Sequence, residues 1–378
     1  MSRTLLILQD SPDFGGHEAM FLRFLPNLVE NGGFTRIVLR HPTANTTLAE
    51  RLRPFHSDRF DATPWRFAKR RAEPYLAGFR HRYAQGVRAL FAELRPAATL
   101  LLQGRVENCA VPLLAAPRDS FLVSYVPMAH RMAELGRRAV PGDWVRQRLY
   151  RRPDRFIVPG PAVVAQVRAA GGRAPIVVAD NVVAPPPAPA RAQSRAALGI
   201  AETARVALFL GRLDVRQKGL DTLAKAIRRD AARLAGWTFL FVGSGEGEAS
   251  LARLRNDLAG QVDIRCSRWT DSPHAMLAAA DLLLMPSRWE GVPLVMLEAM
   301  TYGIPILASQ IDVFEDYLPA ANRADFATVE LAGAMTQVLS PAVADAYRAR
   351  AGARLAQTDL QRSSARFADA LRPGRVVA

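Results

Sequence analysis

Two carboxylates and two cations in the second half of the chain have the spacing to hold a charged, hydroxyl-rich small molecule. Residues 288–309 read R-W-E-G-V-P-L-V-M-L-E-A-M-T-Y-G-I-P-I-L-A-S. Glu290 and Glu298, eight residues apart, can accept hydrogen bonds from sugar or ribose hydroxyls. Glutamates at such spacing are also common on solvated surfaces, so the pair alone proves little. Upstream, G-R-L-D-V-R-Q-K-G-L-D offers Arg212 and Lys218 as two positive charges for a diphosphate. Gly211 beside them lets the backbone come close to a ligand.

The elements that position these groups follow from hydrophobic patterning. An apolar run at 281–286 reads as a buried parallel strand and a second at 304–308 closes the segment, giving strand, loop, helix, strand. Pro293 suits the first turn of that helix, where its missing N–H is no loss. Glu290 then lies in the loop at a strand's carboxyl end and Glu298 on the helix. Open α/β sheets bind ligands at that edge, with the positive helix start facing an anion. Residues 204–210 form the strand before Gly211. Residues 239–242 enter G-S-G-E-G, with a helix beginning near Glu246, and 262–266 is the next strand. A lone G-x-G is a weak signal. No G-x-G-x-x-G is present, and no acidic residue ends a suitably placed following strand, so hydride transfer loses weight.

The first half alternates in the same way. Residues 3–9 read as a strand, followed by D-S-P-D-F-G-G-H-E and a helix with Phe21, Leu25 and Leu28 on one face. Gly15 and Gly16 permit close approach at that helix's start. A strand at 34–40 precedes a stretch, 46–96, without clear strands, in which Leu76, Phe79, Tyr83, Val87, Leu90 and Leu94 fall on one helical stripe and read as core. Strands at 97–102, 121–126, 155–158 and 176–178 complete the half, and His130 follows the second of these. A lone histidine is more often structural than catalytic. The proline-rich N-V-V-A-P-P-P-A-P-A-R reads as a linker joining two halves near residues 182–192.

With 378 residues the chain has room for two domains, and 49% apolar residues exclude disorder. No apolar run is long enough to span a membrane, and 5–8 is too short for a signal peptide, so a cytosolic chain is expected. Cys109 and Cys266 form no metal-binding pattern and read as reduced structural thiols. The net charge of +15 is concentrated in residues 1–183, with 27 Lys plus Arg against 15 Asp plus Glu, compared with 23 against 20 in the remainder. Residues 64–88 hold seven basic residues and one acid, with Trp65, Phe67, Tyr75, Phe79 and Tyr83 interleaved. The patch at 65–71 suits an anionic membrane face, and equally a solvated charged surface. A nucleic-acid-binding reading rests on charge alone and leaves the two glutamates without use.

The run E-G-V-P-L-V-M-L-E-A-M with Y-G-I-P-I-L-A-S, together with G-R-x4-K-G, resembles the family 4 retaining glycosyltransferases. The resemblance covers nearly the whole chain and is strongest over 206–309. It implies the GT-B arrangement, α/β with two facing Rossmann-like doubly wound domains and a cleft between them. Residues 1–183 would be the acceptor side and 184–360 the nucleotide-sugar domain, with a helix in 361–378 crossing back. Arg212 and Lys218 would hold the donor diphosphate, Glu298 the ribose and Glu290 the donor sugar. Gly211, the Gly243–Gly245 turn, Gly291, Val292, Pro293 and Leu294 would line the donor site. His130 would contact the donor sugar, Gly15, Gly16 and Glu18 would face acceptor and donor, and residues 267–271 would meet the base. The chain departs from the family's pattern at Asn181, followed by Val rather than Gly, and after Ser309, where Q-I-D-V-F-E-D-Y-L-P lacks the usual glycines.

The implied reaction is retaining transfer of a hexose such as mannose, glucose or GlcNAc from a nucleoside diphosphate sugar to a saccharide, lipid-linked in surface polysaccharide or lipopolysaccharide assembly. His130, Arg212, Lys218 and Glu290 would carry it, without cofactor or metal, and no Asp-x-Asp for a bridging cation is present. The expected setting is the cytosol, with docking on the inner face of the plasma membrane. A nucleotide-sugar epimerase or a phosphorylase of the same architecture is the alternative.

Overall fold

The computed structural model describes residues 3–70, 72–130, 140–268 and 273–374. It contains two compact units, one of residues 1–182 with 358–378, the other of residues 183–357. Both are parallel α/β sheets with helices on their faces, the doubly wound class that the alternating pattern predicts.

Among the described residues the first unit has seven strands: β1 (Thr4–Leu8), β2 (Arg36–Pro42), β3 (Phe60–Trp65), β4 (Ala98–Leu102), β5 (Leu122–Tyr125), β6 (Arg155–Val158) and β7 (Ile176–Val178). Their order is β3-β2-β1-β4-β5-β6-β7, all parallel. The run T-L-L-I-L of β1 is buried throughout because both of its faces are covered. On one face Leu6, Leu8, Val38 and Leu101 pack with Tyr83, Val87 and Phe91 of helix His81–Leu94. On the other, Phe24 of helix Gly16–Asn31 and Tyr125 of β5 meet Phe367 of helix Leu360–Ala370, with ring centroids 4.8 and 5.5 Å apart.

Two sequence expectations need correction here. The stretch 46–96 does contain a strand, β3, and Pro64 is tolerated within it because β3 lies at the sheet edge, where a missing donor is harmless. The helical stripe is also interrupted. A short 3-10 turn, Ala77–Phe79, ends before helix His81–Leu94 begins, so Leu76 and Phe79 are exposed while Tyr83, Val87, Phe91 and Leu94 are buried. The aromatic members of residues 65–71 turn inward, with Phe67 stacked on Tyr83 at 4.8 Å and Trp65 edge-on to both. Of the two cysteines, Cys109 is buried with its thiol toward the Leu8 carbonyl, but Cys266 is exposed on its strand and is no core thiol.

Among the described residues the second unit has five parallel strands: β8 (Arg205–Leu210), β9 (Trp237–Val242), β10 (Asp263–Ser267), β11 (Leu282–Met285) and β12 (Ile306–Ala308). Their order is β10-β9-β8-β11-β12. Helix Leu220–Arg229 places Leu220, Leu223, Ala224 and Ile227 against Phe209, Phe239 and Phe241 of the sheet. The chain leaves β8 toward β9 and β10, then returns to β11 on the other side of β8. The topological switch therefore falls between β8 and β11, where such sheets open a crevice at the strands' carboxyl ends. In the first unit the same switch falls between β1 and β4. No helix among the described residues is long and apolar enough to cross a membrane.

Candidate active site

The loop after β8 is gripped from both sides. Toward β9, Gly211 N donates to Val242 O at 3.0 Å, Leu213 N to Ser244 O at 2.9 Å and Gly247 N to Leu213 O at 2.8 Å. A Cβ on Gly243 would stand 1.9 Å from the Gly211 carbonyl oxygen, so only glycine allows this approach. Gly245 packs likewise against Leu213. Toward β11, Gly219 (φ +65°) lies so near Pro286 that a Cβ would be 2.0 Å from its carbonyl oxygen. The loops after β8, β9 and β11 thus form one rim along the crevice.

Within that rim Asp214 Oδ1 accepts from the N–H groups of Arg216 (3.0 Å) and Gln217 (2.7 Å), turning the chain so that Gln217 is buried. Gln217 Oε1 accepts from Arg212 Nη2 at 3.0 Å, and its carbonyl accepts from Arg288 N at 2.9 Å. Lys218 Nζ lies 2.5 Å from Glu290 Oε1, which also accepts from Ser287 Oγ at 2.7 Å. The Arg288 guanidinium holds Asp221 through two bonds of 2.8 Å and caps the Arg216 carbonyl at 3.0 Å. Burial pushes the Asp221 carboxyl up, but the Arg288 bonds outweigh it, so its pKa falls while that of Arg288 rises.

The structure therefore brings Arg212, Lys218 and Glu290 together with Gly211, Gly243 and Gly245. The Arg212 side chain is 62% exposed and 4.0 Å from Asp214, a cation presented outward, whereas Lys218 and Glu290 are largely buried. Helix Leu294–Thr301 starts beside them, with Gly291 and Val292 buried and Leu294 half-exposed. Pro293 is its N-cap, in extended conformation, rather than the first-turn residue the sequence suggests. Glu298 is half-buried on this helix, and its charge adds to burial in raising the pKa of Tyr302, whose hydroxyl donates to the Pro186 carbonyl at 2.7 Å. Of residues 267–271, those from 269 on lie outside the described residues.

In the first unit Gly15 caps helix Gly16–Asn31, and a Cβ on Gly16 would meet nothing within 4 Å. Glu18 is fully buried. Its Oε2 accepts from Gly15 N at 2.8 Å, and its Oε1 accepts from Gln9 Nε2 at 2.8 Å and lies 2.9 Å from His17 Nε2. This carboxylate shapes the loop from within, which differs from the acceptor-facing place the resemblance implies. His130 follows β5; its carbonyl accepts from buried Arg146 at 2.6 Å, and Arg146 is in turn 2.8 Å from Glu107. Ser287, Gln217, Asp214 and the Arg288–Asp221 pair were not singled out in the sequence. Their signal was proximity to the two motifs, since each acquires a partner only when the β8 and β11 loops meet.

Comparison with known proteins shows what the segment that carries this rim is similar to. Residues 204–340 match the model described as glycosyl transferases group 1. That segment is similar to the group 1 glycosyltransferases. The glycosyltransferase segment contains Arg212, Lys218, Glu290 and Glu298, so the assembled rim falls within the family's own domain. The chain is 30% identical over 207 residues to the lipopolysaccharide core biosynthesis glycosyltransferase LpsE of Rhizobium meliloti, covering 54% of this chain and 57% of that protein. It is 34% identical over 125 residues to a GDP-mannose-dependent monoacylated alpha-(1-6)-phosphatidylinositol monomannoside mannosyltransferase of Corynebacterium glutamicum, covering 31% of this chain and 32% of that protein. The chain thus matches about half the length of the first relative and a third of the second. In fold, it is similar to Anabaena HepE, solved in complex with UDP and glucose, with a TM-score of 0.73, 18% identity, and coverage of 98% of this chain and 99% of that one. The fold is GT-B.

Proposed function

We propose that this protein is a retaining glycosyltransferase that moves a hexose from a nucleoside diphosphate sugar to a lipid-linked saccharide during assembly of a surface polysaccharide or lipopolysaccharide. The observation that carries the reading is the Lys218–Glu290 contact at the β8/β11 switch, flanked by outward-facing Arg212. The diphosphate takes Arg212 and Lys218 as counter-ions. Lys218 exchanges Glu290 for phosphate oxygens, and the released carboxylate accepts from hydroxyls of the donor sugar. Glu298 accepts from the ribose, and His130 is assigned to the donor sugar.

In the reaction the bond from the anomeric carbon to the diphosphate oxygen breaks, and the acceptor hydroxyl oxygen bonds to that carbon. The hydroxyl proton passes to the departing phosphate. Negative charge grows on the diphosphate as the bond breaks, so two fixed cations stabilise the transition state more than the ground state. The reading has them do so without a metal or other cofactor. Support for the acceptor class comes from the relatives, one named for lipopolysaccharide core synthesis and one for a phosphatidylinositol mannoside. A lipid-borne acceptor places the enzyme in the cytoplasm at the inner face of the membrane.

The test is transfer from UDP-glucose, UDP-GlcNAc and GDP-mannose to membrane-extracted lipid-linked saccharides, with EDTA present, and assignment of the product's anomeric configuration by NMR. Transfer with retention from one donor is expected. Inversion, or strict dependence on an added divalent ion, would overturn the corresponding part of the proposal.

A further inference from the structure

We propose that the second unit carries another small-molecule site, separate from the β8/β11 rim, that takes a neutral saccharide. A cavity of about 520 Å³ opens beside β12, and none of its lining residues belongs to that rim. Its size falls within the span of about 300–1,000 Å³ usual for ligand clefts. The edge of the sheet creates it. On one side β12 pairs along its length with β11, but on the other, among the described residues, a single bridge, Ala308–Arg323, stands where a further strand could lie. Asn322 Nδ2 donates to the Ile306 carbonyl at 2.9 Å and Ala324 N to that of Ala308 at 2.8 Å, which fastens the crossing segment. The chain then turns away at once. The Asp325 carbonyl accepts from Thr328 N at 3.1 Å and Val329 N at 2.8 Å, and helix Leu331–Val338 follows. Bridge, turn and helix wall the cavity. These walls come from the stretch after Ser309, where the sequence departs from the pattern of the resembling family.

The lining selects the chemical class of the ligand. Buried Leu307 and Ala324 give the cavity an apolar base. Gln310 and Gln337 are exposed at it, and among the described residues neither side-chain amide has a partner in the protein. An amide donates and accepts at once, which suits hydroxyl groups that do both. The one cation and the one acid of the lining are already engaged. Arg323 Nη1 holds Glu315 Oε1 at 2.6 Å, while Asp325 accepts from Ala327 N at 2.9 Å and Thr328 Oγ1 at 3.1 Å. A phosphate therefore finds no uncommitted guanidinium, whereas Asp325 keeps lone pairs that accept from a hydroxyl. None of the lining residues is aromatic, so a nucleobase has no ring to stack on. A neutral, hydroxyl-rich molecule satisfies all of these conditions, and a short saccharide is of that kind.

Binding stands on this cavity alone, although its use, holding part of the saccharide that the enzyme extends, rests on the proposed function. The full chain is tested by saturation-transfer NMR with maltose, mannobiose and N,N′-diacetylchitobiose at millimolar concentration. At least one of them should receive saturation, and neither UDP, GDP nor inorganic phosphate should displace it. Gln310→Ala with Gln337→Ala should weaken that binding by about tenfold, since two neutral hydrogen bonds are lost. Ala334→Leu, which adds bulk to the cavity wall, should weaken it by a comparable factor. Saturation of none of the three, equal binding in the variants, or displacement by a nucleotide or by phosphate would each overturn the proposal. Thermal melting with nucleoside diphosphates, which neither variant should alter, reports separately on the β8/β11 rim.

Discussion

Lys218 and Glu290 come from loops after β8 and β11, 72 residues apart, yet Nζ and Oε1 lie 2.5 Å apart at the switch of the second sheet. The pair gives a buried carboxylate a cation as partner, and under the proposed function it is this cation that a diphosphate would take. Arg212 differs because solvent already surrounds it.

That contrast separates catalysis from stability. Arg212→Ala should lower kcat/KM for sugar transfer by about 10²- to 10³-fold and shift unfolding by less than about 0.5 kcal/mol. Lys218→Ala should lose transfer similarly but also destabilise the fold, because it removes the cation 2.5 Å from the buried Glu290 carboxylate. Steady-state kinetics alongside urea melts of both variants provide the check, and near-normal transfer in either would break the assignment.

Two buried carboxylates of the first unit, Asp10 and Glu18, should give opposite pH signatures. Burial, with the charge of Glu73, pushes the Asp10 carboxyl from 3.8 to about 6, despite lowering contributions from the Cys109 backbone and Lys69. Its raised folded pKa means stability is full below about pH 4 and is lost as pH rises through about 6, by up to about 3 kcal/mol. Asp10→Asn should therefore stabilise the protein at pH 7 and flatten this limb of the stability–pH curve. For Glu18 burial again raises the pKa, but His17 and Gln9 outweigh it and the net shift is downward. Its contribution is present above the ordinary glutamate range and fades in acid, so Glu18→Gln should cost about 1–3 kcal/mol at neutral pH and little at low pH. Denaturant melts from pH 4 to 8 would show both trends.

The glycines divide by what surrounds them. Gly243→Ala drives a methyl group into the Gly211 carbonyl at a φ of +152°. It should destabilise the fold by about 2 kcal/mol or more and abolish stabilisation by nucleotide. Gly16→Ala adds a methyl group to open space at the first helical residue. Its melting temperature should hold or rise slightly, while under the proposed function, which puts a substrate beside Gly16, transfer should fall. Calorimetry paired with transfer assays would contradict this if Gly16→Ala remained fully active.

Much of the fold was legible because parallel strands covered on both faces are continuous apolar runs, as in T-L-L-I-L of β1 and R-V-A-L-F-L of β8. The edge strand β3, F-D-A-T-P-W, escaped notice because one side of its ladder is unpaired and its polar residues and proline are permitted there. The helical stripe failed at Phe79 because periodicity cannot see a 3-10 turn that resets the phase before His81. At the candidate site, the approach of Arg212, Lys218 and Glu290 was anticipated from the two motifs. The work of Ser287, Gln217 and Arg288 depends on loops that meet across the sheet, and spacing within one loop carries no trace of that.

The central claim, that the β8/β11 rim binds a nucleoside diphosphate, is tested most directly by thermal melting of the wild type and Arg212→Ala against UDP, GDP, ADP and dTDP with EDTA present. One nucleotide should raise the wild-type melting temperature by several degrees, corresponding to about 2.7 kcal/mol at a hundred times Kd, and the rise should shrink markedly in Arg212→Ala. No shift with any nucleotide at millimolar concentration, or an equal shift in the variant, would contradict the account.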